Sequence, residues 1–258
     1  MTSTSESGPR NVEASEGLGE GWLIITPTFN ERSNLNAFVQ ATLGVAPRAH
    51  LLIVDDNSPD GTGAVADEIA ARDSRVRVLH RPGKLGLGTA YVAGFDRGLT
   101  DGYRYFFEMD ADLSHDPQYL PDFWRELAKG ADLVIGSRNI PGGGVQGWGP
   151  GRHIVSKGGS LYSRLILGVG VRDLTSGYKA FTREAAAALF GDEVASNGYA
   201  FQIEMTYRAL RRQLKVVEVP IVFVDRQVGK SKMNGAIFLE AVFAVWKLRL
   251  RRWRANRP

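Results

Sequence analysis

The segment WLIITPTFNERSNLNAFVQATLG, Trp22 to Gly44, passes from a continuous β-rich apolar run through polar turn residues into a stretch where Leu35, Phe38, Val39 and Leu43 recur at helical spacing. It reads as strand, loop, helix. The pattern returns in LLIVDDNSPDGT (51–62) followed by GAVADEIAARDS (63–74), and in VRVLH (76–80) followed by RPGKLGLGTAYVAGFDRGL (81–99). YRYFFEM (103–109) and ADLVIGSR (131–138) add further strands. Continuously apolar strands alternating with helices argue for an α/β fold: a doubly wound, mostly parallel sheet covered by helices on both faces, with ligands at the carboxyl ends of the strands. No internal repeat of solenoid period is present.

The chain of 258 residues, 43% hydrophobic, is long enough for a substantial core in one large or two small domains. It has no cysteine, which excludes disulfides, thiolate catalysis and cysteine-based zinc sites. Any metal must be held by oxygen or histidine. Residues 1–20 are polar and lack the charged and apolar regions of a signal peptide, so they read as a disordered tail on a protein of the cytoplasm. No apolar run reaches the roughly 18 residues expected of a membrane span. The pI of about 9.4 is a local property. From Lys247 onward the chain carries Lys247, Arg249, Arg251, Arg252, Arg254 and Arg257 and no acid; without these six cations the formal +4 becomes −2. Such a block suits nucleic acid, an anionic membrane surface or plain solvation.

Three loops bearing carboxylates fall at expected strand ends: PTFNE (27–31), VDDNSPDGT (54–62) and DADLSHDP (110–117). Asp110 and Asp112, one residue apart in a cysteine-free chain, suit a hard divalent cation such as Mg²⁺, which prefers oxygen and shares its shell with substrate phosphates. The residue types therefore point to a metal on a diphosphate. The Gly-rich link NIPGGGVQGWGPG (139–151) reads as a mobile loop over that site.

PTFNE, IVDDNSPDGT, MDADLSHDP, IGSR, DLTSGYKAF, NGYAFQIEM and VDRQVGKSK occur in this order between about residues 22 and 235. With them the chain resembles family-2 glycosyltransferases, and within these the polyprenol-phosphate (dolichol-phosphate) mannosyltransferases. The resemblance implies a GT-A nucleotide-sugar transferase fold over 21–235 that transfers mannose, with inversion, from GDP-mannose to the phosphate of a membrane polyprenol. It implies that Pro27, Phe29, Glu31, Val54, Asp56 and Lys84 bind the nucleotide donor, and that Asp110, Ala111 and Asp112 meet the sugar diphosphate. The implied cofactor is Mg²⁺ or Mn²⁺, on Asp112 with Asp110 and Ser114. Arg138, Arg226 and Lys232 complete the phosphate-binding set, and Arg152, with Lys157 next, positions the acceptor. Two departures stand out: Phe29 replaces the tyrosine of many relatives, and Ser114 stands where some place a glutamine.

The chemistry of the residue types agrees. A departing nucleoside diphosphate develops negative charge that needs a metal and fixed cations. A lipid phosphate, with its second pKa near 6, attacks without a strong general base. Asp173 is expected to orient arginines or sugar hydroxyls, or to cap a turn with Thr175 and Ser176. His115 and His153 read as structural.

For the lipid side, FLEAVFAVWKLRLRRW (238–253) places Leu239, Val242, Phe243, Trp246, Leu250 and Trp253 on one helical stripe flanked by cations, which suits a helix lying in the headgroup region over 236–258. RHIVSKGGSLYSRLILGV (152–169) sets Ile154, Leu161 and Leu165 opposite Ser156, Ser160 and Ser163 and is a second membrane-facing segment. Its paired glycines suggest mobility or close packing. A peripheral location on the cytoplasmic face, a separate membrane-anchor partner and no binding of nucleic acid complete the expectation. The rival readings are a glucosyl or aminosugar transferase using a UDP-sugar, a nucleotidyltransferase and a nucleic-acid-binding protein.

Overall fold

The computed structural model describes residues 18–147, 149–190, 198–225, 243 and 245–250, and only the backbone over 150–156 and 198–199. Strand Trp22–Thr28 (β1) leads to helix Arg32–Val45 (α1), followed by His50–Asp55 (β2), Thr62–Arg72 (α2), Val76–His80 (β3), Leu87–Thr100 (α3) and Tyr105–Glu108 (β4). A 3-10 turn at Pro117–Tyr119 opens onto Leu120–Ala128 (α4), Leu133–Ser137 (β5), Gly144–Gln146 (β6) and Pro150–Leu167 (α5). Lys179–Thr182 (β7), Arg183–Phe190 (α6), Gly198–Arg211 (α7), Val216–Pro220 (β8) and Val222–Val224 (β9) follow. All five strands expected from the apolar runs form.

The main sheet has seven strands in the order β3-β2-β1-β4-β7-β5-β8. Every neighbouring pair is parallel except those made by β7, which runs antiparallel to β4 and to β5. Period-2 alternation splits the core in two. Leu23 and Ile25 of β1, Leu52 and Val54 of β2, and Phe106 of β4 face α3, α6 and α7, meeting Tyr91, Phe95, Leu189 and Phe201. Trp22, Ile24, Leu51, Ile53 and Phe107 face the other way, onto Leu35 and Phe38 of α1, Ala66 of α2 and Phe123 of α4. The strands are continuously apolar because both faces are covered.

Three features differ from the expectation. Packed structure begins before residue 21: Leu18 is buried, and its carbonyl accepts the Arg48 N–H. The Gly-rich link is built into the fold, since β6 pairs in parallel with β9 through Gly144↔Val222 to Gln146↔Val224. Glycine at 143 answers a close approach there, because a Cβ would lie 2.4 Å from the Ser137 carbonyl oxygen. Finally, α5 runs unbroken through its glycines, and a Cβ added at Gly158 would meet nothing among the described residues, so that glycine answers no close approach there. Trp148 lies outside the described residues.

Candidate active site

The strand order reverses between β1 and β4, and in open α/β sheets the crevice outside the carboxyl ends at such a switch point is where ligands bind. The loops after β1, β2, β3, β4, β5 and β8 lie along that edge, as does the loop entering the antiparallel β7. All three carboxylate loops are therefore neighbours.

The loop after β1 is stitched to the loop after β2. Asn30 N–H donates to Ser58 Oγ (3.1 Å), Glu31 N–H to Thr62 Oγ1 (3.0 Å) and Arg32 N–H to Asp60 Oδ2 (3.2 Å). Asp55 braces this joint, accepting Thr28 Oγ1 at 3.0 Å, Ser58 N–H at 3.1 Å and Ser58 Oγ at 2.6 Å. Asp56 turns the other way to Arg81 (3.2 Å), an ion pair that the motif reading missed. Burial lifts the Asp56 carboxyl above the usual carboxylate range, while Arg81 pulls it down. Pro27 and Phe29 are half-buried, Val54 is buried, and the Glu31 carboxylate accepts from the Asn34 side-chain amide. Lys84 places its ammonium 4.5 Å from the centre of the Phe29 ring. The nucleotide-binding candidates of the first three loops thus converge on one wall.

The Asp110–Pro117 loop is shaped from within. Thr26 donates its hydroxyl to the Met109 carbonyl, tying the loop to β1. Ser114 donates both its N–H (3.1 Å) and its hydroxyl (2.6 Å) to Asp112 Oδ1. Ser114, expected as a third metal ligand, thus also orients Asp112. Leu113 adopts φ 61°, a left-handed conformation costly for a side chain of its size. The buried His115 accepts the Asp110 N–H on Nδ1 (3.1 Å) and stacks on Tyr178, the structural role expected of it. Ala111 is buried beneath the loop.

Behind the loop stands a pair the sequence reading left out. Glu108 lies opposite Lys179 across β4 and β7, and both are fully buried. Burial pushes Glu108 up to about 7 against the pull of Lys179, and pushes Lys179 down to about 8 against the pull of Glu108. Lys179 donates to the Gln202 carbonyl (2.7 Å) and to Gln202 Oε1 (2.6 Å). The signal was there: Lys179 and Gln202 belong to DLTSGYKAF and NGYAFQIEM.

Arg138, at the end of β5, is locked to Asp173. Its Nε and Nη2 donate to the two carboxylate oxygens at 2.7 Å each, its backbone N–H adds a bond of 3.0 Å, and Nη2 also reaches Thr175 Oγ1 (2.9 Å). Burial alone would raise the Asp173 pKa, but Arg138 and Thr175 hold it below the usual carboxylate range. Asp173 thus orients an arginine and also braces its own turn, with Thr175 donating to Asp173 Oδ1 (3.2 Å). Phe223 of β9 joins the halves of the site, its ring 5.8 Å from the His115 ring and 5.7 Å from the Arg138 guanidinium. Arg152 lies in the first turn of α5, its side chain outside the description along with that of His153. Lys157 is exposed. Arg226 and Lys232 lie outside the described residues.

Glycosyl transferase family 2 matches residues 23–190, the stretch that supplies all of this edge except the Ile221–Asp225 segment. The chain belongs to glycosyl transferase family 2. It is a glycosyltransferase with the GT-A architecture. It is 50% identical over 237 residues to polyprenol monophosphomannose synthase of Mycolicibacterium smegmatis, covering 91% of this chain and 89% of that one. To undecaprenyl-phosphate mannosyltransferase of Micrococcus luteus it is 48% identical over 231 residues, covering 89% and 95%. Among solved structures, glucosyl-3-phosphoglycerate synthase from Mycobacterium tuberculosis in complex with uridine diphosphate superposes with TM-score 0.66 at 20% identity, over 95% of this chain and 87% of that one. The same enzyme with Mn²⁺, uridine diphosphate and phosphoglyceric acid also gives 0.66 at 20% identity, over 92% and 81%. At that identity the likeness bears on fold alone.

A divalent ion fits this family-2 edge on the chemistry of its donors. Asp110 and Asp112 offer hard carboxylate oxygens, and Asp112 is held in place by Ser114. Among the described residues no group of three or more His, Asp or Glu gathers as a metal site. Two carboxylates suffice for Mg²⁺ when substrate phosphates and water complete its shell.

Proposed function

We propose that this glycosyltransferase moves mannose from GDP-mannose to the phosphate of a membrane polyprenol, with inversion at the anomeric carbon, giving polyprenyl-phosphate mannose and GDP. The observation that carries the reading is the near-full-length likeness to two proteins named for polyprenol-phosphate mannose synthesis, at about half identity. The architecture supports it. Pro27, Phe29, Glu31, Val54, Asp56 and Lys84 form the wall against which the nucleoside rests, with the Phe29 ring offering a stacking face. Asp110 and Asp112 would hold Mg²⁺ or Mn²⁺, whose positive charge would offset the negative charge of the departing diphosphate. Arg138 adds a fixed cation beside it, and Arg152, Arg226 and Lys232 are assigned to the remaining phosphate contacts on their motifs. The acceptor phosphate is largely ionised at neutral pH, so the site needs to aim it more than to deprotonate it. His115 fits that economy, its Nδ1 being spent on the Asp110 amide.

The enzyme meets its lipid at the cytoplasmic face of the membrane. On α5, Leu161 and Leu165 are exposed while Ser160 and Ser163 are buried, an inversion that suits an apolar medium.

The test follows radiolabelled sugar into the organic phase, comparing GDP-mannose with UDP-glucose, with and without polyprenyl phosphate and Mg²⁺ or Mn²⁺. Label that comes from GDP-mannose only, and that requires acceptor and metal, is expected. Label from UDP-glucose would overturn the sugar assignment, and label that appears only when native membranes are added would point to a membrane-anchored partner. Asp112→Asn is expected to lower turnover at least 100-fold in a folded protein, and wild-type turnover would remove Asp112 from the metal site.

A further inference from the structure

Arg138 is a nearly buried cation of the described edge, and the carboxylate that fixes it, Asp173, is held in turn by Glu218, a residue outside every motif of the sequence. The Arg138 side chain is 10% exposed and that of Asp173 is fully buried. Asp173 is itself held from behind. Glu218, in the middle of β8, accepts the backbone N–H of Arg172 at 2.8 Å and that of Asp173 at 2.9 Å, one on each carboxylate oxygen. Ile135 of β5, three residues before Arg138, is the register partner of Glu218. A carboxylate on one strand therefore sets the backbone of a loop whose carboxylate sets the arginine at the end of the adjacent strand.

We propose that Glu218 and Asp173 are positioning residues for the transfer reaction, a two-carboxylate relay that holds the Arg138 guanidinium in the orientation required by a phosphate at the active edge. This deepens the proposed function and rests on Arg138 acting on a phosphate there. A mobile arginine side chain would lose rotamer entropy on meeting its ligand. Pre-alignment removes that loss at the moment the phosphate charge develops. Only a carboxylate provides two acceptor oxygens for the two successive N–H groups. In Glu218→Gln one N–H would face an amide NH₂ that donates, and the loop must shift.

The experiment compares wild type, Arg138→Ala, Asp173→Asn, Glu218→Gln and the double variant Arg138→Ala/Asp173→Asn, each normalised to folded protein. Steady-state transfer is measured alongside calorimetric binding of the nucleoside diphosphate with Mg²⁺ and of a short-chain polyprenyl phosphate. Asp173→Asn is expected to lose kcat within threefold of the loss in Arg138→Ala, and to cost less than twofold more once Arg138 is absent. Glu218→Gln is expected to lower kcat about tenfold while the donor KM stays within twofold. A merely structural pair would instead melt earlier with unchanged turnover per folded molecule, or give losses that multiply in the double variant; either result overturns the proposal. If the wild type transfers no mannose, the donor assignment fails by itself. The relay then stands only if Asp173→Asn and Arg138→Ala weaken a phosphate ligand equally in the calorimeter, and it falls if they do not.

Discussion

Lys179 and Glu108 show how the buried charge beneath the Asp110–Asp112 loop is stabilised. Each pulls electrostatically on the other across the β4–β7 register, and Lys179 is bonded twice to Gln202. Lys179→Met leaves Glu108 buried without that counter-charge, and an uncompensated buried charge costs about 3–5 kcal/mol. Urea unfolding is expected to show that loss, and adding Glu108→Gln in the same chain to recover a large part of it; equal loss in both would mean that Lys179 acts by packing alone. Asp173 gives a prediction of opposite origin. Its folded pKa lies below the 3.8 of an ordinary aspartate, so the stability it contributes is complete above that pH and is lost as the pH falls through the lower, folded value. The melting-temperature gap between wild type and Asp173→Asn is therefore expected to hold steady on acidification towards pH 3.8 and to close below it. A gap that begins to close near neutrality would mean that another group titrates with the lock.

At the scale of elements, glycine makes opposite predictions in two helices. In α3 a Cβ on Gly98 would lie 2.5 Å from both Leu23 and Phe106, which are buried and have nowhere to go. Overpacking of that kind costs about 1–3 kcal/mol, which outweighs the helix propensity gained. In α5 the same substitution at Gly158 meets open space, leaving a propensity gain of about 1 kcal/mol. Gly98→Ala is thus expected to melt lower and Gly158→Ala higher than wild type by calorimetry; a shared sign would mean that one helix sits differently on its neighbours. Strands β1 to β5 were legible because each is an unbroken apolar run closed by polar turn residues. The antiparallel β7 was not, because its buried face opens with Lys179, and β8 hid behind Glu218 and Pro220. The candidate site was half legible for the same reason. Aspartates at strand ends announce themselves by position, whereas the residues that support the edge from behind, Arg81 on Asp56, Lys179 across from Glu108 and Glu218 on the Arg172–Asp173 backbone, come from other strands and loops and are brought there only by the fold.

For the whole molecule, one side of the C-terminal helical segment is committed to the core and the other is not. Val245 and Leu248 are buried in the cluster that includes Leu167, Val171 and Phe201, while Phe243, Trp246 and Leu250 are exposed. Among the described residues no helix is long and apolar enough to cross a membrane. An apolar face beside a run of cations is the chemistry of a helix that lies in the headgroup layer, each basic residue near an anionic surface adding about 1 kcal/mol. Deleting everything from Lys247 onward would be a poor test, because it removes Leu248 from the core as well as the cations. Trp246→Glu with Leu250→Glu leaves Val245 and Leu248 in place and reverses only the outward face. In vesicle flotation the wild type is expected to bind anionic vesicles and neutral ones only weakly, and this double variant to lose at least tenfold in binding to anionic vesicles while keeping turnover within twofold on detergent-solubilised acceptor. Equal losses in flotation and in detergent turnover would show instead that the outward face supports the fold, and undiminished flotation would move the membrane contact to Leu161 and Leu165 of α5.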